Sequence, residues 1–343
     1  MTDRFAQNPT KQGLLPLEQH ARLSVAPMMD WTDRHCRYLH RLMSQRALLY
    51  TEMVTAPALV LGGALHLLDH DAAEWPVALQ LGGSDPAELA TAARLGAAAG
   101  YAEINLNCGC PSDRVQSGTF GAVLMRDPGR VAACVTAMLD AVDVDVTVKC
   151  RIGVDDQDPE HVLPEFLARI IAAGCERVII HARKAWLSGL SPKENRDVPP
   201  LDYDLVMRMK QLFPNLHISL NGGVDSLAQA QDLLDAGLDG VMVGRAAYHR
   251  PWDILGAADG LWGAPPPQCD PVSVARAMQP YIAAHLQAGG RLNQVTRHML
   301  GLFAGRPGAR AWRRILSEEA GRPGAGPELI EHALGRVEAG QAA

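Results

Sequence analysis

The run Glu103-Ile104-Asn105-Leu106 ends in Asn107 and opens into Cys108-Gly109-Cys110-Pro111-Ser112, a small, backbone-permissive turn that sets the Cys110 thiol against a proline. A rigid strand behind and a close-approach loop in front is how a barrel strand presents a reactive group. A thiol so placed can act as nucleophile, metal ligand or proton donor. Cys108 and Cys110 do not make a zinc site by themselves. Such sites need four ligands in recognisable pairs, and no second Cys/His pair stands at ligand spacing. No metal is expected. Cys108, Cys134 and Cys175 read as buried, inert cysteines.

Further polar groups stand at the ends of other apolar runs. Pro27-Met28-Met29-Asp30, Gln80, Lys149-Cys150-Arg151, His181-Ala182-Arg183-Lys184, Asn221-Gly222-Gly223 and Gly244-Arg245 each follow or close one. Lys149 could form a Schiff base or neutralise an electron-rich ring, and with Gln80 and His181 it could hydrogen-bond a flat heterocycle. These residues leave both chemistries open. Asn221-Gly222-Gly223 and Gly244-Arg245 suit a phosphate, because glycine turns expose backbone N–H groups and arginine adds a bidentate cation. The loop from Arg183 to Pro200 carries Arg183, Lys184, Lys193 and Arg196, and Arg291 to Arg314 holds six arginines without an acidic residue. Together these segments suit a polyanion that spans both parts of the chain.

The elements that must position these groups alternate. Strands are expected near Leu23–Pro27, Leu48–Thr51, Val77–Leu81, Ile104–Asn107, Val146–Lys149, Val178–His181, His217–Asn221 and Gly240–Gly244. Helical patterns over Ala87–Ala99, Pro128–Ala141, Pro159–Ala173, Tyr203–Leu212 and Ser226–Ala236 fall between them. Eight such units predict an α/β fold, a parallel (β/α)8 TIM barrel, whose strand ends converge on one face. No G-x-G-x-x-G follows the first strand, against a dinucleotide-binding sheet. Past the proline-rich 263–267 the pattern is helical only. The expected division is an N-terminal extension over 1–20, the barrel over 21–262 and an all-helical domain over 263–343.

Composition bounds the rest. A chain of 343 residues with 48% hydrophobic content and mixed charge is globular. The net charge of −6 argues against a wholesale nucleic-acid coat but leaves room for a local basic face. Seven scattered cysteines do not suggest a disulfide framework, no secretory signal is visible over Met1 to Leu15, and no apolar run reaches membrane length. A cytoplasmic monomer without a membrane partner is expected.

In order along the chain, Val25-Ala26-Pro27-Met28-Met29-Asp30-Trp31-Thr32-Asp33, Asn107-Cys108-Gly109-Cys110-Pro111-Ser112, Val148-Lys149-Cys150-Arg151-Ile152-Gly153, His181-Ala182-Arg183-Lys184-Ala185-Trp186 and Asn221-Gly222-Gly223 resemble the tRNA-dihydrouridine synthases. The loop Leu187 to Arg196 is similar to that of the A-type bacterial subfamily. The resemblance implies an FMN-containing barrel with a helical tRNA-binding domain. It further implies that D-loop uridines 20 and 20a in tRNA are reduced, with hydride from reduced FMN to C6, a proton from Cys110 to C5, and NADPH (or NADH) as electron source. By motif, Pro27, Met28 and Met29 line the flavin, and Gln80, Lys149 and His181 contact its ring or ribityl chain. Asn221, Gly222, Gly223, Gly244 and Arg245 take its phosphate, while Asn107, Lys193, Arg196, Arg310 and Arg313 contact tRNA. The competing expectations are a flavin barrel acting on a free pyrimidine, for which a basic C-terminal domain has no use, and a non-catalytic tRNA binder, for which Cys110, Lys149 and His181 have none.

Overall fold

The structure, a computed structural model, describes residues 17–112, 120–265 and 269–341. Residues 1–16 of the extension expected over 1–20, and residues 266–268 at the end of the proline-rich linker, therefore lie outside the described residues. Strands β1 (Leu23–Val25), β2 (Leu48–Tyr50), β3 (Val54–Thr55), β4 (Val77–Gly82), β5 (Glu103–Cys108), β6 (Asp145–Arg151), β7 (Arg177–His181), β8 (His217–Asn221) and β9 (Gly240–Val243) form one all-parallel sheet. Its order is β2-β1-β9-β8-β7-β6-β5-β4-β3, and a further β2–β4 pairing closes the ring. Two-residue β3 pairs with the end of β4 where β2 has already left it, so it adds a rim to β4 and not a ninth stave. The result is the expected (β/α)8 barrel.

Four of the helices, three outside the barrel and one in the C-terminal lobe, start where aspartate and proline meet. Asp85, Asp127, Asp158 and Asp270 each cap a helix whose first residue is the following proline, their carboxylates accepting from backbone N–H groups of the first turn. Each such cap contributes about 1 kcal/mol, and proline at that place loses no intrahelical bond. Between barrel and helices lies the main core, including Leu79, Leu81, Ile104, Leu106, Val148 and Ile180. Residues at alternate strand positions point the other way, into the barrel. There one side is apolar, with Tyr50, Ala78, Ile179 and Met242, and the other is polar, with Glu103, Asn105, Thr147 and Arg177.

After Trp262 the chain is helical: Pro271–Gln287, Leu292–Met299, Ala309–Glu319 and Glu328–Gln341. These helices pack around Met278, Ile282, Val295, Trp312 and Ile330, and dock on the Arg34–Met43 helix of the barrel. There Tyr281 stacks on Tyr38 at 4.1 Å and its hydroxyl meets His35 Nδ1 at 2.7 Å. Asp33, which caps the Arg34–Met43 helix, accepts from Arg297 at 2.6 Å and contacts His298 Nε2 at 3.0 Å. Among the described residues no helix is long and apolar enough to cross a membrane.

Candidate active site at the barrel mouth

Parallel strands end on one face, and the register shows which side chains reach it. Asn107 pairs with Lys149, Arg151 with His181, and His181 with Asn221, all five side chains lying on the interior side. Lys149 donates to Asn221 Oδ1 at 3.0 Å, and Asn221 in turn donates to the Met242 carbonyl at 2.8 Å. Burial beside Arg151 lowers the Lys149 ammonium to about 8, so its charge is held at a cost. Burial and the cations Arg151, Lys149, Arg183 and Arg196 hold His181 well below the usual histidine range, which makes it a neutral imidazole at pH 7.

The Cys110 turn is held from below by Asn107. Its Oδ1 accepts from the backbone N–H of Gly109 and of Cys110, both at 3.0 Å, while its Nδ2 donates to Gln80 Oε1 at 2.8 Å. The Cys110 carbonyl accepts from Ala122 at 2.9 Å. Cys110 is half-buried, whereas Cys108, Cys150 and Cys175 are enclosed and burial pushes their thiols up, the last two to about 12. That separates one accessible thiol from a set of inert ones.

The two glycine-bearing turns sit side by side on β8 and β9. Gly222 and Gly223 have φ of +110° and +72°, and a Cβ on Gly222 would stand 2.6 Å from the His181 ring. Only glycine lets that turn pass over the histidine. Gly244 faces Ala26 and Met28 with its Cα side open, and Met29 beside it is 57% exposed. Arg245 donates to Asp197 at 2.6 Å and so ties the long loop after β7 back to the mouth.

That loop is folded by two residues whose importance the sequence hid. Asn195 is fully buried and accepts from the Trp186 backbone N–H at 2.7 Å, while its amide donates to the carbonyls of Trp186, Leu190 and Ser191. Arg151 donates to the carbonyls of Gly109 at 3.1 Å, Lys184 at 3.3 Å and Asn195 at 3.0 Å, joining the Cys110 turn to the loop. Arg196 is exposed near Cys110 and His181, and Lys193 is exposed further along.

The sequence-predicted residues thus fall into three groups. Pro27, Met28, Met29, Cys110, Lys149, His181, Asn221, Gly222, Gly223, Gly244 and Arg245 converge on the mouth, with Arg196 at its edge. Gln80 and Asn107 lie beneath it, 1% and 8% exposed, with their amides bonded inside the barrel. Arg310 and Arg313 lie apart, exposed on the Ala309–Glu319 helix, where with Arg306 they line a shallow depression. Glu103, Asn105 and Thr147 were not singled out from sequence; the polar alternation Glu103-x-Asn105-x-Asn107 inside an apolar strand was the available signal.

A closed parallel barrel with a cation-lined mouth, an accessible thiol and adjoining glycine turns has the architecture of a barrel enzyme. The family model for dihydrouridine synthase matches residues 24–338. A protein of Shewanella oneidensis named tRNA-dihydrouridine(20/20a) synthase is 58% identical over 315 residues, 92% of this chain and 93% of that one. Proteins of the same name from Escherichia coli K12 (58% identical; 91% of this chain, 90% of that one) and Vibrio vulnificus (54% identical; 92% and 97%) match along similar lengths. The chain belongs to the dihydrouridine synthase family and is an oxidoreductase of that family.

Proposed function

We propose that this chain reduces the C5–C6 bond of D-loop uridines 20 and 20a in tRNA to dihydrouridine, with FMN in the barrel mouth and NADPH as reductant. The observation that carries this reading is the mouth itself. Lys149, Arg151, Arg183 and Arg196 surround the neutral His181, and none of the four forms an ion pair among the described residues. That excess of positive charge fits a phosphate-bearing, electron-rich ring, and the glycine turn at 222–223 leaves room for backbone N–H groups to meet the phosphate. Pro27, Met28 and Met29 supply apolar surface for the ring, Lys149 and His181 polar contacts at its edge, and Asn221, Gly222, Gly223, Gly244 and Arg245 the phosphate end. When bound, the reduced flavin supplies hydride to C6 of the uracil.

Hydride arriving at C6 leaves enolate-like charge that is quenched by a proton at C5. Cys110 Sγ–H donates that proton, and the thiolate left behind faces Lys149, Arg151 and Arg196 until solvent reprotonates it. Asn107 and Gln80, with their amides committed inside the barrel, take a positioning part. Extruding a base from folded RNA costs roughly a few kcal/mol. Contacts of Lys193, Arg196, Arg310 and Arg313 with the tRNA backbone offset that cost. Purified protein is expected to be yellow and, once given NADPH, to form dihydrouridine at these positions in transcript tRNA. Cys110→Ala is expected to keep the flavin and NADPH oxidation while product formation falls about 10²–10⁴-fold. Dihydrouridine formed at the wild-type rate by Cys110→Ala would remove the acid role.

A further inference from the structure

The polar side of the barrel interior is a single chain of hydrogen bonds with one direction. Asn107 Nδ2 donates to Gln80 Oε1 at 2.8 Å, Gln80 Nε2 to Asn105 Oδ1 at 2.8 Å, and Asn105 Nδ2 to Thr147 Oγ1 at 2.8 Å. The Thr147 hydroxyl then donates to Glu103 Oε1. All four links run in one sense: the first and last step down the barrel, the two between them cross from strand to strand in register, and the chain ends on a carboxylate. Glu103 receives in addition the Tyr50 hydroxyl at 2.7 Å and the Arg177 guanidinium. With Arg177 as ion-pair partner and 0% side-chain exposure, Glu103 can only accept.

That restriction propagates. A carboxylate below forces Thr147 to donate downward, so its oxygen is free only to accept from Asn105. Asn105 must then offer its oxygen to Gln80, and Gln80 its oxygen to Asn107. The Asn107 amide is left with its oxygen upward, where it meets the N–H groups of Gly109 and Cys110. An amide turned the other way would set N–H against N–H and release the turn. Glu103 lies four residues from Asn107 on β5, about 13 Å down the barrel. It touches neither the mouth nor any ligand that could enter there.

We propose that Glu103, acting through Thr147, Asn105, Gln80 and Asn107, is a positioning residue that fixes the turn carrying Cys110. The relay stands on the hydrogen-bond geometry alone, and its catalytic meaning rests on the proton-donor reading of Cys110. The test uses the holoenzyme with Thr147→Val, which keeps shape and β preference but deletes the link, and Thr147→Ser, which restores the hydroxyl. Site-resolved amide hydrogen exchange is measured at Gly109 and Cys110. Thr147→Val is expected to accelerate exchange there by about fivefold or more over wild type, with Thr147→Ser at the wild-type rate. The same variant is expected to lower kcat for dihydrouridine formation about tenfold with KM for tRNA unchanged.

Unchanged exchange in Thr147→Val overturns the relay. So does an acceleration spread equally over all barrel strands, which would make Thr147 merely structural. If Thr147→Val does not fold, Asn105→Leu cuts the chain one link nearer the turn and is read in the same way. A wild-type protein that forms no dihydrouridine would sink the proposed reaction, while the exchange result would still decide the relay.

Discussion

Replacing Gly222 by alanine separates backbone strain from steric conflict in the mouth, because the fold supplies its own control. Gly222 and Gly237 have nearly the same φ, +110° and +107°. A Cβ at 237 meets nothing within 4 Å, whereas at 222 it stands 2.6 Å from His181 Cδ2 and 2.9 Å from Nε2. Left-handed backbone costs a non-glycine residue roughly 1–2 kcal/mol, and overpacking against a rigid neighbour adds about 1–3 kcal/mol. With an unfolding entropy of about 2.1 cal/mol/K per residue, each kcal/mol is worth about 1–1.5 °C in a chain of this length. Gly237→Ala is therefore expected to lower Tm by about 1–3 °C and to leave flavin retention intact. Gly222→Ala is expected to lower Tm by about 3–7 °C and, by displacing His181, to weaken FMN retention tenfold or more. Differential scanning fluorimetry and fluorescence titration of the flavin read both. Should the two variants melt together and hold flavin equally, the close approach of the glycine turn to His181 plays no part in the site.

Lys149 gives a pH signature in flavin-free protein. Its folded value of about 8 lies below that of an unfolded lysine, near 10.4, so its burial destabilises fully below about pH 8 and the penalty fades as pH rises through that window. Lys149→Met should raise Tm at pH 7 and give a smaller gain at pH 9.5; equal gains at both would refute the assignment. In flavin-loaded protein the same substitution should weaken FMN binding most at low pH, measured by retention on dialysis. Reversing Arg310 and Arg313 to glutamate should weaken tRNA binding and reduce the slope of log K against log salt by about 1–2. An unchanged salt slope in filter binding would move the RNA face elsewhere.

The barrel could be read from sequence because its strands are short apolar runs set between helical patterns, and their polar ends fell where the mouth now is. Lys149, His181 and the glycine turns were legible for that reason. Two things were not. The Arg34–Met43 helix carries buried Arg37, His40 and Arg41, and such residues look solvated in sequence. They are compensated by groups no local pattern reveals: Glu74, which pairs with Arg37 at 2.6 Å, and the carbonyls of Ser44, Ala47 and Pro76, which Arg41 reaches. The interior chain from Glu103 to Asn107 was hidden in the same way, since its partners come from β2, β4, β6 and β7. Arg297, one of six arginines in an acid-free segment, is likewise tied to Asp33, although its side chain stays 46% exposed.

The Asp33 contact makes the two lobes poor modules. The residues from Pro27 to Asp33 run from the mouth straight into the cap of the Arg34–Met43 helix, and that cap is shared with Arg297 and His298 of the basic helical lobe. Trp31 in the same stretch stacks on Tyr248 at 4.6 Å, from the helix after β9. A barrel trimmed of its C-terminal helices would strip Tyr281 from His35 and Tyr38 and leave Asp33 facing solvent beside the loop that follows β1. Exchanging the helical lobe for that of another protein would meet the same obstacle unless the graft brought partners for Asp33, His35 and Tyr38. The basic helical lobe and the barrel mouth are thus welded through one short segment, and changes in the first must pass through the frame of the second.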